Sequence, residues 1–194
     1  FYYEDEAGYL PARHCCQVVL EQFVNKGGEY KQLAAQPGTI KNNQLEKLKL
    51  SDGSTISADS YIFACGPWLS EIFPEVLKDI IRPTRQEVFF FGTPYGDSRF
   101  FESNMPVWVD FGEKLWYGIP GADWRGFKLA DDTRGKPFDP TTGDRTPSKE
   151  GIVSAREYLA HRFPGMKDAP LLEARVCQYE NSLDGHYIVD RHPE

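Results

Sequence analysis

The first hydrophobic pattern along the chain has helical spacing. Between Pro11 and the pair Gly27-Gly28, apolar residues recur three and four positions apart: Cys16, Val19, Leu20, Phe23 and Val24. Such positions share one face of a helix, while proline fits a first turn and glycine commonly follows a last one. The pattern predicts an amphipathic helix over this segment.

The next segments have strand-like patterns. Residues 29–34 are predicted to form a strand, and residues 44–50 and 55–58 to form a hairpin around the turn Asp52-Gly53. The continuous apolar run 61–65 predicts a buried strand. It ends at residues 66–68, with the sequence Gly-Pro-Trp, as expected of a strand that stops at a ligand-facing edge.

Beyond Pro83 the pattern becomes that of an antiparallel sheet. Aromatic-rich strands are predicted over 86–91, 107–111, 115–119 and 126–130, followed by a long polar surface loop over 131–145. A helix is predicted from Thr146 to Pro164, with apolar positions that would cover the sheet. Residues 171–179 and 186–190 are predicted closing strands. The fold class is therefore α+β.

Composition excludes some partners. Of 194 residues, 40% are hydrophobic and 26% charged, and the formal net charge is −7, which is typical of a globular protein. No basic stripe is present to bind nucleic acid or an anionic membrane. The longest apolar runs are strand-sized, far below the ~20 residues of a membrane helix. We therefore expect no nucleic-acid or membrane partner.

The cysteines and histidines do not indicate a metal site or a hydrolase. The four cysteines form no Cys-x-x-Cys pair and have no zinc-site spacing to histidine, and the four histidines assemble no nucleophilic triad. A chain of this size has little need of disulfides, which predicts a reducing, cytoplasmic location. Since the first residue is Phe1, the start of the complete protein is expected to lie upstream.

Periodicity does not identify a reaction, but several short sequence segments resemble one protein family. The colinear segments 58–68, 82–88, 116–120, 126–128, 177–179 and 184–193 resemble the sarcosine oxidase branch of the D-amino-acid-oxidase-like flavoproteins. The resemblance implies a partial FAD-binding α/β domain followed by an antiparallel-sheet substrate domain. Residues 1–81 would be the C-terminal part of the FAD domain, 82–179 the substrate domain, and 180–194 a strand returning toward the FAD domain.

Two parts of that family are absent from this sequence. They are the N-terminal strand with its Gly-x-Gly-x-x-Gly turn, which presents bare backbone and a helix N-terminus to the FAD pyrophosphate, and a C-terminal glycine-rich segment. The resemblance therefore implies an internal fragment. We expect this chain on its own to bind FAD poorly.

Three residues are candidates for holding FAD. Cys177 resembles the cysteine that tethers the flavin 8α-methyl carbon through a thioether; alternatively it is an ordinary buried cysteine. At Gly66 the absent Cβ would let backbone pass close to FAD, although a turn glycine looks the same in sequence. Trp68 is a third candidate, and its alternative is a packing anchor.

Three residues are candidates for acting on the substrate. Tyr117 matches a family tyrosine whose hydroxyl lies over the substrate, and alternation places Tyr179 on the same face as Cys177. Asp132 stands where the relatives with sarcosine activity carry histidine, and it would attract a substrate ammonium group. Asp132 could instead begin a solvated loop, Tyr117 could be a core tyrosine, and Lys128 could add positive potential or be an exposed strand lysine.

The resemblance implies a flavin-dependent amine oxidoreductase. It would oxidise the C–N bond of a secondary or N-alkyl amino acid, with hydride transfer to FAD and reoxidation by oxygen. One alternative is a dehydrogenase of the same superfamily that uses another acceptor. The other is an interaction domain that has kept the sheet and lost flavin.

Overall fold

The computed structural model describes residues 1–121 and 125–193. The chain divides into two compact units, which are described separately. The helix–hairpin unit comprises Leu10–Arg82 and Ser182–Glu194, and the sheet unit comprises Phe1–Tyr9 and Pro83–Asn181.

The helix–hairpin unit begins with the helix that the sequence predicts. Helix α1 spans Ala12–Asn25, directly after Pro11. Its C-terminus is closed by the Gly27 amide, which donates to the Val24 carbonyl at 2.9 Å, and Gly27 has a φ of +89° that favours glycine. The prediction is confirmed, yet no residue of α1 is buried. Its apolar side chains therefore lie largely on the surface of the described structure.

Short strands follow α1. They are β1 (Ala35–Pro37), β2 (Ile40–Lys41), β3 (Gln44–Leu45), β4 (Leu48–Leu50) and β5 (Thr55–Ile56). Strands β1, β4 and β5 form an antiparallel sheet in that order, and β2 pairs with β3. The predicted Asp-Gly hairpin is confirmed between β4 and β5, where Gly53 has a φ of +85°. The strand predicted over 29–34 is wrong, because the chain becomes a paired strand only at Ala35.

The predicted strand over 61–65 is also wrong. These residues form no ladder with any described strand, and Ile62 is 93% exposed. A strand needs a neighbour for its backbone hydrogen bonds, whereas periodicity reports only which residues prefer burial. The same correction applies to residues 186–190. A 3₁₀ turn at Gly66–Trp68 leads instead into two short helices, α2 (Leu69–Ile72) and α3 (Pro74–Leu77).

The sheet unit is built on five strands and one long helix. In chain order they are β6 (Ile81–Phe91), β7 (Trp108–Phe111), β8 (Leu115–Ile119), β9 (Phe127–Asp131), α4 (Lys149–Arg162) and β10 (Leu171–Ser182). The spatial order is β10-β6-β9-β8-β7, and the β6–β9, β9–β8 and β8–β7 pairs are antiparallel. The antiparallel sheet is confirmed, but β6 begins at Ile81, five residues before the predicted strand, and β10 ends at Ser182, three residues after its predicted end.

Helix α4 covers one face of this sheet. Ala155 and Leu159 pack against Phe89, Phe127 and Leu129, and together with neighbouring aromatic residues they form the main core. Ser148 caps the helix by accepting from the Gly151 amide at 2.9 Å, and Glu87 accepts in turn from the Ser148 hydroxyl at 2.7 Å. The helix therefore begins slightly after the predicted Thr146, because Ser148 makes the cap.

Gly118 permits the close approach of β7 to β8. A Cβ at this position would lie 2.3 Å from the Trp108 ring and 2.7 Å from the Lys128 carbonyl oxygen. We expect Gly118→Ala to destabilise the sheet unit by about 1–3 kcal/mol through overpacking, measured as a lower urea midpoint of tryptophan fluorescence. Gly112→Ala is the matched control, since its Cβ would meet only the Lys114 carbonyl oxygen at 3.7 Å. Equal midpoints for the two variants would contradict the expectation.

Among residues 1–121 and 125–193, no helix has the length and hydrophobicity needed to cross a membrane.

Candidate functional site

The face of the five-stranded sheet opposite α4 carries most of the predicted site residues. Along β9, Phe127 and Leu129 point into the α4-covered core, so alternation turns Lys128 and Ala130 to the other side. There Val88, Phe90 and Ala130 form a small buried cluster, with Tyr117 and Cys177 packed against it. We call this surface the tyrosine face, defined by Val88, Phe90, Tyr117, Lys128, Ala130, Cys177 and Tyr179.

Two tyrosines from distant strands meet across the tyrosine face. The Tyr117 and Tyr179 hydroxyl oxygens are 3.2 Å apart, within hydrogen-bond distance. Tyr117 lies on β8 and Tyr179 on β10, with β9 and β6 between them, a span of about 14 Å at the usual strand spacing. The two side chains therefore reach toward each other above the central strands, where Ala130 is small enough to leave room for them.

Asp132 lies on the same face as the tyrosine pair. Its amide donates to the Leu115 carbonyl at 2.7 Å, so the backbone extends the β8–β9 ladder by one residue and the side chain falls on the tyrosine face. The negative charge of its carboxylate is close enough to Tyr179 to act on that phenol. Asp132 is half-buried and held at the end of the strand, which differs from a side chain free in a solvated loop.

Tyr179 is strongly held in its neutral form. Burial raises the pKa of its phenol far above the ordinary value of 10.0, and the hydrogen bond with Tyr117 and the negative charge of Asp132 raise it further. The Tyr179 hydroxyl therefore keeps its proton at neutral pH. It can orient a partner but cannot act there as a base.

Cys177 lies two residues before Tyr179 on β10. The shared contacts of Cys177 and Tyr117, together with the Tyr117–Tyr179 hydrogen bond, show that all three side chains share one face, as alternation predicts. Cys177 is a free, half-buried thiol. Its role as a flavin tether stays a prediction.

Lys128 makes a contact that sequence reasoning missed. Its ammonium nitrogen lies 4.6 Å from the centre of the Tyr117 ring, and the side chain is half-buried rather than freely exposed. The register of β8 with β9 places Lys128 opposite Ile119 and Ala130 opposite Tyr117. The contact joins residues of two different strands. It could therefore be inferred only from the register between those strands, and not from the sequence of either one.

Gly66 and Trp68 belong to the helix–hairpin unit. Gly66 has a φ of +54° and opens the 3₁₀ turn at Gly66–Trp68, and the Trp68 amide donates to the Cys65 carbonyl at 3.3 Å. The Trp68 side chain is 36% exposed. Because a positive φ favours glycine, the conformation of this turn is sufficient to explain the glycine at position 66. The cofactor-binding roles of both residues stay predictions.

A second polar region lies on the α4-covered side of the sheet unit. A cavity of about 460 Å³ is lined by residues that include Glu87, Lys114, Asp131 and Ser148. Lys114 donates to the Ser154 hydroxyl at 2.8 Å, and Glu87 pairs with Arg85 at 2.9 Å in addition to capping Ser148. These polar groups form hydrogen bonds and ion pairs with one another, and these contacts attach α4 to the sheet. Attachment of α4 is therefore sufficient to explain the polar lining of the cavity. Within the described ranges, no cluster of three or more acidic, histidine or cysteine side chains could hold a metal ion.

The sequence of this chain matches a known protein family. The model described as DAO, FAD dependent oxidoreductase, matches residues 1–194. The chain belongs to this family. Its curated relatives include the monomeric sarcosine oxidase of Bacillus sp. (strain B-0618), 28% identical over 99% of this chain and 50% of the relative. The N-methyl-L-tryptophan oxidase of Yersinia pestis (strain Pestoides F) is 24% identical over the same shares.

Solved structures agree at the level of the fold. The fructosyl peptide oxidase from E. terrenum matches with a TM-score of 0.79 and 18% identity, covering 96% of this chain and 47% of that structure. This DAO-family chain thus spans about half the length of the relatives it matches. The resemblance to the sarcosine oxidase branch and the α+β fold class are confirmed.

Proposed function

We propose that the complete protein uses FAD to oxidise the C–N bond of a secondary or N-alkyl amino acid. The observation that carries the proposal is the tyrosine face, where Tyr117, Tyr179 and Cys177 converge on one side of the sheet. The family membership supports FAD, and the names of the sarcosine and N-methyl-L-tryptophan oxidases support an N-methyl amino acid as substrate.

The tyrosine face fits the flavin ring chemically. Val88, Phe90 and Ala130 form a buried apolar layer, and the phenols and the Cys177 thiol lie against that layer as polar groups. Such a combination of apolar surface with few polar groups is typical of cofactor sites. When bound, FAD supplies the acceptor for the hydride and then passes electrons to oxygen.

The chain's own residues bind and orient the substrate. Tyr117 and Tyr179 are proposed to contact the amine, and Asp132 and Lys128 add opposite charges to the same face. Since Tyr179 stays protonated, no phenolate base is available from it. We propose that the amine reacts in its neutral form, without a protein base.

Cys177 is the proposed covalent tether of the flavin. A thioether would replace the thiol S–H and one C–H of the flavin 8α-methyl group, a two-electron oxidation with oxygen as terminal acceptor. The free thiol beside an apolar cluster supports this role. Gly66 and Trp68 are proposed to contact FAD from the helix–hairpin unit, where the positive φ of Gly66 lets the backbone turn without a Cβ.

The helix–hairpin unit is proposed to be the C-terminal part of an FAD domain completed by further sequence. Helix α1 buries none of its residues, and Ile62, within the apolar segment 61–65, is largely exposed. A unit with so much exposed apolar surface is expected to need additional structure. The sheet unit is the proposed substrate domain. The four free thiols fit the proposed reducing cytoplasm.

The full-length protein tests this function directly. Anaerobic mixing with sarcosine or another N-methyl amino acid should bleach the flavin absorbance near 450 nm, on the order of seconds or faster at the turnover typical of enzymes. Tyr117→Phe should slow bleaching by about 10- to 100-fold, because the amine loses its positioning group. Tyr95→Phe, at a fully exposed tyrosine of the same unit, is the control.

The outcomes of this test separate the alternatives. Rapid recovery of absorbance on admitting oxygen supports an oxidase, whereas recovery only with a quinone or a protein acceptor would indicate a dehydrogenase. An FAD-loaded protein that no secondary or N-alkyl amino acid can bleach would overturn the proposal.

A further inference from the structure

We propose that Gln86 is a positioning residue that holds Asp132 on the tyrosine face, where the carboxylate recognises the positively charged nitrogen of an amino acid as it binds. Gln86 acts through the backbone on both sides of Asp132 and does not itself contact the substrate. The inference rests on the proposed function, because it takes the tyrosine face as the place where the substrate binds.

Gln86 is a buried polar residue on the interior strand β6. Its side chain is 4% exposed. The β6–β9 ladder runs from the Phe91–Phe127 pair to the Val88–Ala130 pair, and β9 ends one residue later at Asp131. The antiparallel register therefore places Gln86 beside the point where the chain leaves β9.

The Gln86 side-chain amide forms four hydrogen bonds. Its Nε2 donates to the Asp131 carbonyl at 3.3 Å and to the Thr133 carbonyl at 2.8 Å. Its Oε1 accepts from the Gly135 amide at 2.8 Å and from the Thr84 hydroxyl at 3.2 Å. A primary amide has two donor hydrogens and two acceptor lone pairs, so every hydrogen-bonding position is used and the amide has one possible orientation.

These contacts fix the backbone around Asp132. Asp131 and Thr133 are its neighbours in the chain, and the Asp132 amide itself donates to the Leu115 carbonyl of β8 at 2.7 Å. The backbone is thus held before, at and after Asp132. Since Ala130 lies on the tyrosine face, alternation keeps the Asp132 side chain on that face.

The same network reaches strand β10. The Asn181 Nδ2 donates to the Thr84 hydroxyl oxygen at 2.7 Å, and Thr84 is also 4% exposed. Asn181 lies two residues beyond Tyr179, so the two side chains share a face of β10. Gln86 therefore connects the strand of Tyr179 with the backbone of Asp132, and a buried amide network with all its hydrogen bonds formed is rigid.

Gly135 allows the chain beyond β9 to close over Gln86. A Cβ at this position would overlap the Arg85 carbonyl oxygen and the Gln86 Oε1. A backbone carbonyl cannot move aside as the end of a flexible side chain can, so alanine at this position has to displace the segment that follows Asp132. Gly135→Ala thus disturbs the same contacts without removing the Gln86 amide.

The experiment compares two probes that differ in one charge. Glycine betaine carries a quaternary ammonium group and a carboxylate. In 3,3-dimethylbutanoate a carbon atom replaces the nitrogen, which keeps the shape and removes the positive charge. Neither probe has an amine lone pair, so neither is oxidised in the proposed reaction. The ratio of their dissociation constants, measured by calorimetry on the FAD-loaded full-length protein, reports recognition of the positive charge.

The expected ratios follow from the contacts of Gln86. The wild-type protein should bind betaine at least about tenfold more tightly than 3,3-dimethylbutanoate, and Asp132→Asn should reduce this preference to about twofold or less. Gln86→Met should reduce it by about threefold or more, because a thioether of similar length leaves both carbonyls without their donor. In the Asp132→Asn background Gln86→Met should have no further effect on the ratio, as expected when one residue acts through the other.

Two further variants separate positioning from a general loss of stability. Gly135→Ala should lower the betaine preference in the same direction as Gln86→Met. Met166→Ala removes a side chain that is 0% exposed in the core on the α4 side of the sheet. It should lower the urea midpoint and leave the ratio at the wild-type value.

Several outcomes would overturn the proposal. One is a wild-type protein without a betaine preference, and another is a preference that survives Asp132→Asn. The others are a preference that survives both Gln86→Met and Gly135→Ala, an equal loss in Met166→Ala, and a further loss when Gln86→Met is added to Asp132→Asn.

The binding ratio is independent of turnover. If the full-length protein oxidised no amine while the ratios behaved as expected, the proposed function would fail and the positioning role of Gln86 would stand. Normal amine oxidation with ratios unaffected by Gln86→Met and Gly135→Ala would remove Gln86 from the site and leave the proposed function intact.

Discussion

Replacing Cys177 with serine in the full-length protein should turn its acid precipitate from yellow to colourless. A thioether survives denaturation, whereas flavin held only by folded structure is released. Serine keeps the size of cysteine closely enough to preserve packing against Val88, Phe90 and Ala130. We expect more than about nine-tenths of the acid-stable flavin to be lost, because a hydroxyl is a far weaker nucleophile than a thiolate.

A second cysteine in the chain provides the control. Cys65 is a free thiol of the helix–hairpin unit, and burial raises the pKa of its thiol, which disfavours the reactive thiolate. Cys65→Ser should leave the precipitate yellow. A colourless precipitate from the wild-type protein, with flavin present before denaturation, would show that Cys177 is not a tether.

Truncating Leu159 to alanine should cost the sheet unit about 2–5 kcal/mol of its free energy of unfolding. Leu159 is 0% exposed, and it fills the core between α4 and the sheet together with Phe127 and Met166, which are equally buried. Close-packed cores relax only partly around a deleted side chain, so the loss includes a cavity as well as the transfer of apolar atoms. Urea unfolding followed by tryptophan fluorescence measures this loss.

Val153 on the same helix is the matched comparison. Its side chain is 53% exposed, so Val153→Ala should change the free energy of unfolding by only about 0.5 kcal/mol. A similar loss for both variants would mean that stability reflects helix propensity rather than burial. The Leu159 variant should also weaken the tyrosine pair, because α4 supports the opposite face of the same sheet.

Helices and strands were predicted correctly from sequence in two situations. Either the segment forms its backbone hydrogen bonds internally, as a helix does, or its partner strands lie in the described structure. Helix α1 closes its hydrogen bonds internally, so its pattern and its Gly27 ending were enough. Strands β7 and β8 are joined by a short turn and pair with each other. The run 61–65 shows the limit, because an apolar strand pattern forms no strand without a partner.

The same distinction applies to the site. Alternation along β10 determined from sequence that Cys177 and Tyr179 share a face, since successive strand side chains point to opposite sides. The resemblance named Tyr117 and Asp132 as candidates. Neither could show that a tyrosine on β8 meets one on β10, because nothing in a single strand specifies what lies across two intervening strands.

Sequence by itself thus determined the family, the amphipathic helix and the strand pattern of the sheet. Tertiary structure alone decided the 3.2 Å contact between Tyr117 and Tyr179, the position of Asp132 at the end of β9 and the position of Lys128 over Tyr117. The physical reason is range: periodicity and turn chemistry act over a few residues, whereas hydrogen bonds between distant strands depend on strand order and register.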